Sequence, residues 1–216
     1  MPLTLDHVVV LVRDLERTIT DYEAIGFTVQ RGGTHADGAT HNALVGFADG
    51  SYVELIAFLK PTSEHRWGRH EAAGIEGFID FALLPGNVGE VVAAACARGL
   101  NYAGPFDGGR VRLDGERLAW QIGTPPTPEL PFLCGDVTPR ALRVREGDVR
   151  LHRNGVTGVA SLTLAVTDLE ASLQRYRALF GPGATKDAGP IALPGLVVAG
   201  KGTAWFDDVE LVEVSG

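Results

Sequence analysis

At 216 residues, with 45% hydrophobic and 21% charged side chains, the chain is long enough to bury a core and too apolar to be disordered. A formal charge of -8 leaves no basic stretch to neutralise phosphates or an anionic surface, which excludes nucleic acid and membrane as partners. The two cysteines, Cys96 and Cys134, lie far apart without metal-knuckle spacing, which fits a reducing compartment, so the expected location is the cytoplasm.

The opening MPLTLDHVVVLVRDLE is an apolar run bounded by charges and reads as a strand, not a signal peptide or a membrane span. In that strand His7, Val9 and Leu11 share a face. Asp14 is placed to cap a following helix with Ile19 and Tyr22 on its apolar stripe, and Gly26 closes it. HNALVGFA from His41 and SYVELIAF from Ser51 read as further strands. In the second of these Glu54 shares a face with Tyr52 and Ile56, and in the first only one of His41 and Asn42 can face inward.

After the linker KPTSEHRWGRHEAAG comes GFIDFALLPGNVGEVVAAACARGLNY, an apolar strand, a turn into a helix and a glycine exit at Gly99, with Cys96 expected in the core. Alternation around Val111 and Leu118 predicts a hairpin turning at Asp114-Gly115, and a further strand lies near Phe132. A second linker, TPRALRVREGDVRLHRNG, precedes VASLTLAVTDLEASLQRYRALFG. That segment repeats the N-terminal pattern: Asp168-Leu169-Glu170 overlies Asp14-Leu15-Glu16, Tyr176 overlies Tyr22, and Val209-Glu210-Leu211 matches Val53-Glu54-Leu55. The organisation is therefore three βαβββ modules, over residues 1–60, 75–138 and 157–216. The fold class is α+β, with mixed sheets curled into a cup.

The opening Leu-Asp-His-Val-Val-Val-x-Val-x-Asp-Leu-Glu with the late strand Gly50-Ser-Tyr-Val-Glu-Leu-Ile resembles the vicinal oxygen chelate superfamily, which includes glyoxalase I, extradiol dioxygenases and bleomycin-resistance proteins. Within it, THNALVGFADGSYVELIAF followed by LPFLCGDVTPR is similar to the glyoxalase-like domain proteins. The resemblance covers essentially the whole chain, and it implies paired modules forming a cup, with a divalent metal (zinc, nickel, manganese or iron) held by His or Glu on first and last strands. Carried over by position, the metal ligands are His7, Glu54 and Glu210, while Ser161 stands where a fourth belongs and is a poor ligand for such ions.

Each candidate has a plainer reading beside it. A histidine within Val8-Val9-Val10 needs a partner and Glu54 supplies one, as a metal ligand, as a catalytic carboxylate, or as a buried His-Glu hydrogen bond. His41 is either a general acid or base or a strand-end hydrogen bonder. His152 either enters the cup mouth as a catalytic group or belongs to the Asn154-Gly155 turn. Glu210 is either a ligand or part of a solvent-facing edge strand. Asn42, Trp120 and Phe132 are candidate substrate contacts, the two aromatics alternatively plain core. Asp136 is read as a turn cap before Pro139, and His35, His65 and His70 as solvated. No nucleophile elbow, P-loop or dinucleotide fingerprint appears. The expected function is a small-molecule enzyme of glyoxalase-like type doing metal-dependent isomerase or lyase chemistry on a vicinal-oxygen substrate. The alternatives are a metal-free binding protein and a hydrolase using a His-Glu pair. An odd number of modules leaves a sheet face that a homodimer would cover.

Overall fold

The computed structural model describes residues 3–60 and 62–181, and the backbone of 209–213. Residues up to Phe58 form β1 (Thr4–Leu11), α1 (Leu15–Ala24), β2 (Gln30–His35), β3 (Thr40–Gly46) and β4 (Tyr52–Phe58). After a short helix, α2 (Gly68–Ala72), the order repeats as β5 (Gly77–Leu84), α3 (Val88–Ala97), β6 (Ala103–Arg112), β7 (Arg117–Thr124) and β8 (Phe132–Asp136). A one-turn helix α4 (Arg140–Arg143) leads to β9 (Leu162–Val166), α5 (Leu169–Phe180) and β10 (Val209–Glu213).

Three helices begin alike because an Asx side chain accepts a free amide of the first turn: Asp14 from Arg17 N at 3.0 Å, Asn87 from Glu90 N at 3.1 Å, and Asp168 from Ala171 N at 2.9 Å. Their exits at Gly26, Gly99 and Gly181 have φ of 97°, 83° and 85°, the left-handed backbone that ends a helix without a Cβ penalty.

The first eight strands close a barrel in the order β1-β4-β3-β2-β6-β7-β8-β5. Within each half the first strand runs parallel to the last, β1 with β4 and β5 with β8, and the halves join antiparallel at two seams, β1 to β5 and β2 to β6. The barrel thus closes within one chain. Strands β1 and β4 are buried on both faces, which is why HVVVLV and VELIAF read as unbroken apolar runs. One face of the first half (Val10, Val45, Val53, Leu55) packs under Leu15 and Ile19 of α1. The corresponding face of the second half (Phe81, Leu83, Leu133) packs under Val88, Val92 and Ala95 of α3. Val9, Leu11, Ile56, Ala82, Leu118, Trp120, Phe132 and Cys134 fill the interior.

Strands β9 and β10 pair in parallel as a separate two-stranded sheet. α5 packs on α3, with the fully buried Tyr176 donating to the Glu129 carbonyl at 2.7 Å. Arg98 donates to the carbonyls of Ala178 and Leu179, which satisfies acceptors left free at the end of α5. The two strands expected between α5 and β10 fall in residues outside those described. Cys96, expected in the core, is exposed on α3, with its thiol 3.4 Å from the Tyr102 carbonyl.

The seam between β2 and β6 is short, pairing Gly33 with Arg112, Thr34 with Val111 and His35 with Arg110. Gly33 has φ of 144°, and a Cβ there would stand 2.1 Å from the Val111 carbonyl oxygen. Gly33→Ala should therefore lower stability by about 2 kcal/mol or more, through backbone strain and a forced opening of the seam. An unchanged urea midpoint would remove this account of closure.

Candidate functional site

Alternation along the strands sends a defined set of side chains inward. His7 comes from β1, Tyr52, Glu54 and Ile56 from β4, Thr40, Asn42 and Leu44 from β3, Arg110 from β6, Trp120 and Ile122 from β7, and Phe132 and Cys134 from β8; all border one cavity of about 260 Å³. His35 at the end of β2 and His65, Arg66 and Trp67 from the loop before α2 complete its wall.

The floor of this cavity is ionic. A bulge in β1 between Leu5 and His7, opposite β5, leaves Asp6 outside the regular ladder and fully buried. Its carboxylate accepts from Arg143 Nη1 at 2.8 Å and Nη2 at 3.1 Å, from Arg140 Nη1 at 2.5 Å, and from His7 Nδ1 at 2.7 Å. Arg143 also bridges to both oxygens of Asp136, at 2.5 and 2.9 Å, and donates to the Tyr52 hydroxyl at 2.7 Å. Burial alone would push the Asp6 carboxyl up, but the Arg143 charge and the His7 hydrogen bond hold it well below the usual carboxylate range.

His7 stacks on Tyr52, with ring centroids 4.5 Å apart, and turns Nε2 toward Glu54 Oε2 at 3.4 Å. Burial disfavours its imidazolium, yet the hydrogen bonds to Asp6 and Glu54 outweigh burial and raise its pKa. Glu54 is 5% exposed. Against its own burial, the bond and charge of His7, the charge of His35 and the Asn42 amide, which donates to Oε1 at 2.6 Å, bring it down to about 2. On the far side of Glu54, His35 Nε2 lies 3.6 Å from Oε1, and His35 Nδ1 is 2.8 Å from the Thr40 hydroxyl. Burial lowers the pKa of His35, so one carboxylate stands between two imidazoles shifted in opposite directions.

Of the predicted residues, His7, Glu54, Asn42, Trp120 and Phe132 therefore meet at one cavity. His41 and His152 do not join it. His41 faces away from the cavity, as strand alternation requires once Asn42 faces in. His152 is not delivered into the cup: Nδ1 accepts from Thr28 N at 3.0 Å, Nε2 contacts the Gly46 carbonyl at 3.0 Å, and the ring sits between Phe27 and Phe47 outside the barrel. Glu210 lies on β10, paired to Thr163 of the separate sheet, and its side chain is outside what is described. His35 and His65, read as solvated, line the cavity, and Asp136, read as a turn cap, is an ion-pair partner. Arg110, Arg140 and Arg143 were not singled out. The alternation of Arg110 with Arg112 in GGRVR was the one local signal for them.

The donors present do not fit the predicted metal site. Among the described residues no group of three or more His, Cys, Asp or Glu side chains is arranged to hold an ion, and Glu210 belongs to the separate β9–β10 sheet with its side chain outside what is described. Where the second half would supply ligands beside His7 and Glu54, it offers Ala82, Phe132 and Cys134, and burial holds the Cys134 thiol protonated. The Arg110 guanidinium already places positive charge near Glu54, whose two oxygens face His7, with its raised pKa, and Asn42.

Among solved structures, a hypothetical protein from Staphylococcus aureus is similar at 14% identity, with a TM-score of 0.69 over 87% of this chain and 79% of that one. Methylmalonyl-CoA epimerases from Streptomyces coelicolor (20% identity, TM-score 0.45, 63% of this chain and 99% of that one) and Mycobacterium tuberculosis (17%, 0.46, 62% and 88%) also align. At these identities the likeness concerns the fold alone. No curated protein matches the sequence. No helix among the described residues is long and apolar enough to cross a membrane. Residues 5–180 match the family model described as Glyoxalase-like domain. With that match spanning both halves of the barrel and α5, the chain belongs to the glyoxalase-like domain family of the vicinal oxygen chelate superfamily.

Proposed function

We propose that the barrel cavity is the active site of a small-molecule enzyme that relocates a proton on a vicinal-oxygen substrate. The observation that carries this reading is the triple His7–Glu54–His35, in which two imidazoles of opposite pKa shift flank one buried carboxylate at 3.4 and 3.6 Å beside an open cavity. Acid and base assignments follow from groups whose surroundings drive their pKa values apart. His35, neutral at physiological pH, is the base: it takes a proton from carbon next to a carbonyl, the C–H electron pair moves into the enolate, and Glu54 stabilises the imidazolium so formed. His7, kept protonated by Asp6 and Glu54, is the acid that returns a proton. Glu54 itself, with a pKa of about 2, is too weak a base to act alone.

A binding protein without chemistry is the second reading, favoured by Tyr52, Trp67, Trp120 and Phe132 in the wall. Solvent-deuterium incorporation into hydroxy ketones, 2-oxoaldehydes and 2-hydroxy acids separates the two. Turnover should appear in the wild type and fall about 100-fold or more in His35→Gln with the fold intact. Full exchange in that variant would remove His35 as base, and ligands recovered unexchanged throughout would favour binding alone.

The pH dependence has a defined sign. The base must be neutral and its pKa lies below the ordinary imidazole value, whereas the acid must be protonated and its pKa lies above it. Exchange should thus rise through the His35 pKa, fall through the His7 pKa, and be maximal near neutrality. NMR titration of the ring protons should show His35 titrating below pH 6.5 and His7 above it; the reverse order would overturn the assignment.

Because no step needs the metal expected from the superfamily, protein prepared without a His-tag and treated with chelator should keep its exchange rate. Loss on chelation with recovery on adding zinc, nickel, manganese or iron would restore the metal-dependent reading.

A further inference from the structure

Arg110 is 4% exposed, lines the cavity, and makes no ion pair among the described residues. Nη1 reaches the neutral amide oxygen of Asn42 at 3.3 Å, Nη2 reaches the Arg143 carbonyl at 3.0 Å, and Nε has no hydrogen-bond partner among the described residues. A guanidinium cannot escape this cost by deprotonating at physiological pH, so a buried unpaired arginine demands an anion.

The surrounding charges say which anion. The floor groups Asp6, Asp136 and Glu54 against His7, Arg140, Arg143 and Arg110, three carboxylates for four cations when His7 is protonated, and geometry assigns the surplus to Arg110. Arg66, also in the wall, is already paired with Asp80. One surplus charge matches a monoanion and would be overcompensated by a phosphate dianion. Asp37 and Asp107 also border the cavity, but both are exposed, where water and salt screen them.

The sequence makes room for this cation. A Cβ at Gly32 would fall 2.3 Å from Arg110 Nη1 and 1.9 Å from Asn42 Oδ1, so only glycine lets the pair lie across β2. Arg110 and His35 are direct partners across the β2–β6 seam, on the same face of the sheet. We propose that Arg110 is the anchor for a substrate carboxylate, and that the substrate class is a short 2-oxo or 2-hydroxy carboxylic acid. This rests on the proton-transfer reading of the same cavity and adds the group that orients the substrate, so that the C–H next to its carbonyl group, at C3 of a 2-oxo acid or C2 of a 2-hydroxy acid, is presented to the base His35. A cavity of about 260 Å³ suits such a molecule and is small for a bulky conjugate.

The test is calorimetric binding of pyruvate and lactate, each beside its neutral amide, with inorganic phosphate as the control anion. Wild type should bind the carboxylates at least 10-fold more tightly than their amides or phosphate, and Arg110→Gln should erase that preference. Should Arg110→Gln fail to fold, the wild-type discrimination decides, together with Gly32→Ala, whose Cβ displaces the guanidinium and should weaken carboxylate binding 10-fold or more. Equal affinity for acid and amide, tighter binding of phosphate, absence of any carboxylate binding, or unchanged binding by a folded Arg110→Gln would each overturn the proposal. Carboxylate binding without deuterium exchange would leave Arg110 assigned and remove the proton-transfer reading instead.

Discussion

Much of this molecule depends on the buried ion pair between Asp6 and Arg143. A carboxylate with no exposure costs several kcal/mol to desolvate, and it survives as an anion only because two guanidinium groups and an imidazole donate to it. The partners come from opposite ends of the barrel sequence, Asp6 from β1 and Arg140 and Arg143 from the turn of helix after β8. One cluster therefore fastens the first strand to the segment following the last strand, and closes the barrel floor. It also biases the charge above it: the Asp6 carboxylate holds Nδ1 of His7 and raises the His7 pKa, and His7 in turn helps keep Glu54 ionised. Stability and the state of the site are thus linked through a single proton position.

The barrel turns this charge into a site by alternation. Strands β1, β3, β4 and β8 are buried on both faces, with α1 and α3 covering their outer side, so the remaining inward face must be filled by side chains or left as a cavity. Large inward groups would fill it, but glycine stands where they would collide. Gly32 leaves space for Arg110 and Asn42, and Gly108 leaves space for the Trp120 indole, whose Nε1 would lie 2.4 Å from a Cβ there. The cavity is where the backbone gave up side chains. Its apolar wall lowers the local dielectric, which strengthens each charge that remains.

The family shares a fold among different chemistries, so the reaction has to be argued from this site. Here the two halves of the barrel are unequal. The first contributes His7, His35, Asn42 and Glu54, and the second contributes Arg110 and apolar residues at the positions facing them. The two histidines and the carboxylate thus lie on one half and the buried guanidinium of Arg110 on the other. The repeated third unit, with Ser161 buried before β9, packs through α5 on the outside of α3.

The sequence alone determined the elements and the repeat. Asp14, Asn87 and Asp168 cap helices through local hydrogen bonds, Asp114-Gly115 turns its hairpin, and period-two alternation put His7 and Glu54 on defined faces, because each of these effects acts within a few residues. The same short range hid the rest. His35 looked solvated beside its glycines, and Arg140 and Arg143 in the second linker carried no local signal, since nothing nearby in the chain shows that they are buried. Only tertiary structure decided that β2 and β6 would meet, bringing His35 beside Arg110, and that Arg143 would reach back to Asp6. It also placed His152 outside the barrel, away from the cavity that His7 and Glu54 share. Burial and charge compensation are properties of the closed barrel, and they exist only once strands distant in sequence have paired.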